Sequence, residues 1–196
     1  MLYKGPTQLM LQEDVKDLTT IVETLAQFET TLAALYCACA KVWLEDGEFW
    51  IQMEQSEKRH ARNMTRIKTM LSERPEIFQR GRPFKIAAIQ TSIAGAQWDI
   101  QRLNRKEMTR KNMLFIARDL EQSVLERNYA EILKSNDMEF QSLMKEMLSE
   151  TIQHRKYLDE QIAKSAARAE PSPAPNVHSL RFSTQSKKQD PSHKGP

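Results

Sequence analysis

A chain of 196 residues fits one domain with appendages. Its net charge of +3, with acids and bases interspersed, is too balanced for a nucleic-acid surface, and no apolar run approaches the ~20 residues of a membrane span. Five glycines, few aromatics, abundant Glu, Lys, Arg, Gln, Leu and Met, and no alternating Val/Ile/Thr run point to an all-α protein.

Residues 1–12, without the apolar core of a signal peptide, read as a short leader, and a cytoplasmic location is expected. The first helix is expected over residues 13–45. Its apolar stripe is Val15, Leu18, Val22, Leu25, Glu29, Leu32, Tyr36, Cys39, Trp43, an unbroken alternation of three and four. A carboxylate, Glu29, therefore sits on the inward face, two turns before Tyr36. Cys37 and Cys39 point ~200° apart on such a helix, so they neither bridge nor share a metal. They read as two small core or near-core residues. Asp46 and Gly47 break the helix in a tight turn.

The second helix, expected over 48–72, carries the stripe Trp50, Met53, Glu57, His60, Met64, Ile67, Leu71. Glu57 and His60 form an E-x-x-H step on its inward face. A lone carboxylate is costly to bury there, and a metal ion removes that cost. One inward Glu is easily an accident. Two adjoining helices with inward Glu, plus an inward His, suggest a ligand cage. The methionines Met53, Met64, Met113, Met144 and Met147 read as core packing.

Pro75, Gly81 and Pro83 enforce a loop. Ile86, Ile89, Ile93, Ala96, Ile100 and Leu103 then mark a crossover helix over 84–106. Thr109 is a plausible N-cap for a third long helix over 110–135, with the stripe Leu114, Ala117, Glu121, Val124, Asn128, Ile132. Ser135, Asn136 and Asp137 make the next turn. The last helix, over 138–168, has two stripes of equal regularity. One reads Phe140, Met144, Met147, Thr151, His154, Leu158, Ile162; the other reads Leu143, Met147, Glu150, His154, Tyr157. Glu54, Glu126 and Glu131 fall on solvated or flanking faces. Residues 169–196, rich in Pro, Ser and Lys, read as a disordered tail.

The E-x6-Y of Glu29 and Tyr36, followed in a hairpin by the E-x-x-H of Glu57 and His60, resembles the ferritin-like di-iron proteins, and the rubrerythrins most. The resemblance covers roughly residues 13–166 and is strongest in the first hairpin. It implies an antiparallel four-helix bundle of two hairpins with one Glu from each of two helices and Glu-x-x-His from each of the others. It further implies Glu29 and Glu121 as terminal metal ligands, Glu57 as a bridge, His60 and His154 completing each ion, and Tyr36 as a hydrogen-bond donor to a ligand carboxylate. Thr151 stands where the family has its second bridging Glu, three residues before His154. Glu150, four residues before His154, is the expected substitute. Tyr129 follows Glu121 by eight residues rather than seven, so the repeat is loose there.

The implied cofactor is a pair of iron ions; the oxygen and imidazole donors also suit manganese, with zinc as a competitor. The implied chemistry is reduction of peroxide or oxygen, or oxidation of ferrous iron. No paired C-x-x-C motif supplies an iron–sulfur relay, which leaves room for a separate electron-donor protein. A homodimer is compatible with the sequence. Nucleic acid and membrane are not expected partners. Two other readings stand beside this one: a degenerate bundle acting as a non-catalytic binding or structural module, favoured by Thr151, and a plain helical scaffold without metal.

Overall fold

The computed structural model describes residues 12–127 and 129–168; the expected leader and the tail over 169–196 fall outside them, save Gln12. The fold is all-α. Four long helices dominate: α1 (Gln12–Val42), α2 (Gly47–Glu73), α4 (Arg110–Arg127) and α6 (Met138–Arg168). Between them lie α3 (Ile86–Asn104), the short α5 (Tyr129–Ile132) and two three-residue strands, β1 (Phe78–Arg80) and β2 (Leu133–Ser135). Among the described residues no helix is long and apolar enough to cross a membrane.

Helices α1 and α2 form one hairpin, closed by a 3-10 turn at Leu44–Asp46. α4 and α6 form a second pair, and α2 also meets α6. The pairing of Arg59 with Glu150, Arg66 with Glu139 and Arg74 with Asp137 runs α2 and α6 in opposite directions. The apolar belt of α1 is wide, with Leu18, Ile21, Val22, Leu25, Phe28, Leu32 and Leu35 all buried, because α1 packs on α2 and on α3. Burial of such side chains, each contributing about 1.5–3 kcal/mol, is the main support of these long helices. Of its expected stripe the crossover helix buries Ile89, Ile93, Ala96 and Leu103, while Ile86 and Ile100 are half-buried.

Local chemistry sets the ends. The N–H of Asn112 donates to Thr109 Oγ1 at 3.2 Å, the expected cap of α4. Asp137 caps α6, its Oδ1 accepting from the N–H groups of Glu139 and Phe140. α3 stops where Lys106 turns left-handed (φ 59°), with Lys106 N–H on Leu103 O and Glu107 N–H on Arg102 O. Asp46, in the first turn, is gripped by the Arg110 guanidinium at the start of α4. That ion pair sets the first hairpin against the second.

The expected helix over 110–135 stops short of its end. Helix is described over Arg110–Arg127 and Tyr129–Ile132, and residues 133–135 instead pair with β1 in antiparallel register, Phe78 with Ser135, Gln79 with Lys134 and Arg80 with Leu133. The N–H groups of Gly81 and Arg82 extend this clip to Ile132 O and Glu131 O. The approach is so close that a Cβ on Gly81 would stand 1.8 Å from Glu131 O. A tertiary backbone pairing, made available by one glycine, thus outcompetes the helical pattern of residues 133–135.

Candidate metal centre

The stripes converge as their spacing requires. Glu29, Glu57, His60 and Glu121 are each 1 % exposed and His154 is 5 % exposed. One ligand atom from each of Glu29, Glu57 and His60 lies within 4.8 Å of the others, and the same holds for Glu57, Glu121 and His154. Glu57 belongs to both groups. His60 Nδ1 is 3.0 Å from Glu57 Oε2 and 4.0 Å from Glu29 Oε2. His154 Nδ1 is 2.9 Å from Glu57 Oε1 and 3.5 Å from Glu121 Oε2. The imidazole centroids are 5.9 Å apart.

Two tyrosines cross the core to the outer carboxylates. Tyr36 on α1 donates to Glu121 Oε1 on α4 at 2.6 Å, and Tyr129 on α5 donates to Glu29 Oε1 on α1 at 3.1 Å. Each hairpin therefore hands a hydroxyl to the other's terminal Glu. By helical spacing alone Tyr129 lies ~80° round from Glu121. Sequence reasoning found Tyr36 and missed the role of Tyr129; the signal was the one-residue excess over the spacing of Glu29 and Tyr36.

Glu150 is not brought into either group. Its Oε1 accepts from Arg59 Nη2 at 2.8 Å, and its Oε2 lies 3.0 Å from His60 Nε2, the ring nitrogen turned away from Glu29 and Glu57. It orients the imidazole from the side away from Glu29 and Glu57. On α6 the buried stripe is Phe140, Met147, Thr151, His154 and Leu158, while Tyr157 is exposed. Thr151 points inward, its hydroxyl donating to Met147 O at 2.9 Å. Of the flanking acids, Glu54 pairs with Lys58 and Glu131 with Arg82; the Glu126 side chain lies outside the described residues. Cys37 and Cys39 are free thiols, and burial pushes the Cys39 thiol well up.

The electrostatics are those of a cage short of cations. Burial raises Glu29 and Glu121 above the usual carboxylate range, and repulsion from Glu57 raises both further. Burial also works against charge on Glu57, but the two imidazoles beside it outweigh this and hold it low. For His154, burial favours the neutral ring, yet Glu121 and Glu57 overcome it and push the imidazole up to about 10. Glu57 moves His60 in the same direction against its burial. Burial and the neighbouring Glu121 keep the Tyr36 phenol protonated well beyond its ordinary range.

Three buried atoms of this cluster make no hydrogen bond among the described residues: Glu29 Oε2, Glu57 Oε1 and His154 Nδ1. Glu57 Oε1 and His154 Nδ1 stand 2.9 Å apart as an ion pair without hydrogen-bond alignment. Natural proteins rarely leave buried polar groups unmet. The donor set is carboxylate and imidazole without thiolate, which fits a divalent transition metal. These residues therefore fit a metal ion, and buried Glu/His clusters able to hold one are present. Comparison with protein-family models, with curated proteins and with solved structures found no match for this chain.

Proposed function

We propose that this chain is a ferritin-like, rubrerythrin-like antiparallel four-helix bundle that holds two metal ions, iron first among them. Glu29, Glu57 and His60 would hold one ion, and Glu57, Glu121 and His154 the other, with Glu57 shared. The observation that carries the reading is the burial of two carboxylate–imidazole groups that share Glu57, with the ligand atoms of each within 4.8 Å of one another.

When bound, a pair of irons supplies two electrons to peroxide or oxygen, or is itself oxidised. The chain's own residues do the rest. Tyr36 and Tyr129 hold one oxygen of Glu121 and Glu29 and leave the other for a metal. Glu150 on Nε2 of His60 keeps Nδ1 turned to Glu57 and Glu29. Phe28, Leu32, Val124 and Met147, all buried, keep water from the core. An electron-donor protein is part of this proposal.

A second reading, a non-catalytic bundle, draws support from Thr151, which offers a hydroxyl already committed to Met147 O where a fourth carboxylate would stand. Metal analysis of protein from iron-fed cells, with an optical spectrum, separates the two. About two ions per chain are expected, one per ligand group. His60→Ala should lower the metal content while circular dichroism stays helical, since the bundle rests on apolar stripes. Unchanged metal content would make His60 a core histidine and end the proposal.

A further inference from the structure

Tyr36 does more than donate to Glu121: its ring opens a line of aromatic side chains that leads away from the carboxylate–imidazole cluster. The ring centroids of Tyr36 and Trp50 are 5.7 Å apart, and those of Trp50 and Trp43 are 6.4 Å apart. Tyr36 and Trp50 are buried, whereas Trp43, the residue that follows α1, is half-buried at the first turn. Phenol and indole are the aromatic side chains that give up an electron most readily. The phenyl ring of Phe49, 4.8 Å from Trp50, does so far less readily and leads nowhere. Trp50 Nε1 has no hydrogen-bond partner among the described residues. An indole that has lost an electron there finds no group to take its proton, so the charge is passed on rather than fixed as a neutral radical. Core filling asks only for apolar volume of about the right size. Three oxidisable rings in file, from a buried carboxylate to the surface, supply something that volume does not.

Resting on the metal reading above, we propose that Tyr36, Trp50 and Trp43 form a one-electron relay between the metal pair and the protein surface. Hydrogen peroxide takes up two electrons, with two protons from solvent, to give two waters. A half-oxidised metal pair has one electron to give, and the second comes from the protein. Tyr36 supplies it and passes its phenolic proton to Glu121 Oε1, 2.6 Å away. Trp50 then reduces the Tyr36 radical, and the proton returns from Glu121 to Tyr36. Trp43 reduces Trp50 in turn, and a reductant in solution, a thiol or ascorbate, refills Trp43. One electron moves inward, the solution reductant is oxidised, and the Tyr36 O–H bond that broke is formed again.

The test uses the full-length chain loaded with ferrous iron in the absence of oxygen. Metal stoichiometry is measured first. Fewer than two ions per chain would end the metal reading, and this inference with it. The loaded protein then receives one oxidising equivalent of ferricyanide and one of hydrogen peroxide per chain, with no reductant. Rapid-freeze electron paramagnetic resonance should show an organic radical, first tyrosyl and then tryptophanyl, and peptide mass spectrometry should find added oxygen at Trp43. Trp98, 53 % exposed on α3 and outside the line, is the internal control. Oxidant diffusing through solvent reaches Trp98 at least as readily as half-buried Trp43. Equal oxidation of the two would therefore overturn the proposal, and it decides the matter on the wild-type chain even if Trp50→Phe does not fold. Trp50→Phe should keep both ions, prolong the tyrosyl signal and abolish oxygen addition at Trp43; unchanged oxidation of Trp43 in that variant would overturn the relay. So would oxidation that collects at Cys39, the buried thiol one turn after Tyr36. Two bound ions with no organic radical in the wild-type chain would overturn it too.

Discussion

The two hairpins bring almost the same ligands to the centre by different means. In the first, α1 and α2 are continuous, and Glu29, Tyr36, Glu57 and His60 all follow from uninterrupted helical spacing. In the second, Tyr129 follows Glu121 by eight residues, where Tyr36 follows Glu29 by seven, residues 133–135 leave the helix for a strand pairing, and α6 turns Thr151 inward where α2 turns Glu57. The two halves are thus alike in their outer ligands and unlike between them: one carboxylate serves both groups. Symmetry of ligand position does not need symmetry of backbone. It needs each stripe to arrive at the same depth.

That comparison is broken most severely at Glu57. Glu57→Ala removes a donor from both groups and leaves two imidazoles without their shared counter-charge, so on the proposed reading metal content should fall from about two ions per chain to none. Glu29→Ala and Glu121→Ala should each remove one ion. If Glu57→Ala costs no more metal than either, the carboxylate is not shared.

Next in size is the clip that exists only on the second hairpin's side. Gly81→Ala places a Cβ against Glu131 O, and backbone cannot yield as a side-chain tip can. We expect a loss of about 2–4 kcal/mol, read as a melting temperature lower by roughly 5–15 °C. An unchanged melting temperature would mean that β1 and β2 contribute nothing to stability.

Acid–base behaviour sharpens the comparison at His154. Its folded value of about 10 lies above its ordinary 6.5. The stability it contributes to metal-free protein is therefore full below pH 6.5 and is lost as pH rises through 10. Denaturant midpoints of the apoprotein should fall across that window, and His154→Gln should flatten the profile. Metal binding requires the neutral ring, so affinity should rise over the same range and protons should be released on loading. A flat wild-type profile would show that Glu57 and Glu121 do not hold a proton on His154.

The smallest effects distinguish the two tyrosines. Tyr36→Phe and Tyr129→Phe each remove one buried hydrogen bond, worth about 1 kcal/mol, and loosen one terminal carboxylate. The shorter bond, Tyr36 to Glu121 at 2.6 Å, should matter more than Tyr129 to Glu29 at 3.1 Å. Thermal melts and metal titrations of both variants check the order.

The sequence made the inward faces of Glu29, Glu57, His60, Glu121 and His154 readable because a helix repeats its own geometry. Once a stripe is seen, the direction of each side chain follows. Glu150 and Thr151 were ambiguous because both completed regular stripes on α6. The choice between them is made by Arg59, a residue on another helix 91 positions away. The strand at 133–135 was hidden for the same reason: it continues a helical pattern, and the backbone of residues 78–82 supplies the competing hydrogen bonds. Local periodicity is written in neighbours; its exceptions here are written in partners far along the chain.

The crossed tyrosine bonds join residues 85 and 100 positions apart, whereas each hairpin is made of segments close in sequence. Such local pairs close faster than distant ones. On this topology the hairpins are expected to form first and dock second. Until docking, Glu29 and Glu57 on one hairpin and Glu121 and His154 on the other remain hydrated. The step that strips their water is the same step that delivers their partners. On the proposed metal reading, solution pH and available metal are expected to act on the docking of the hairpins and to leave the rate at which each hairpin forms untouched.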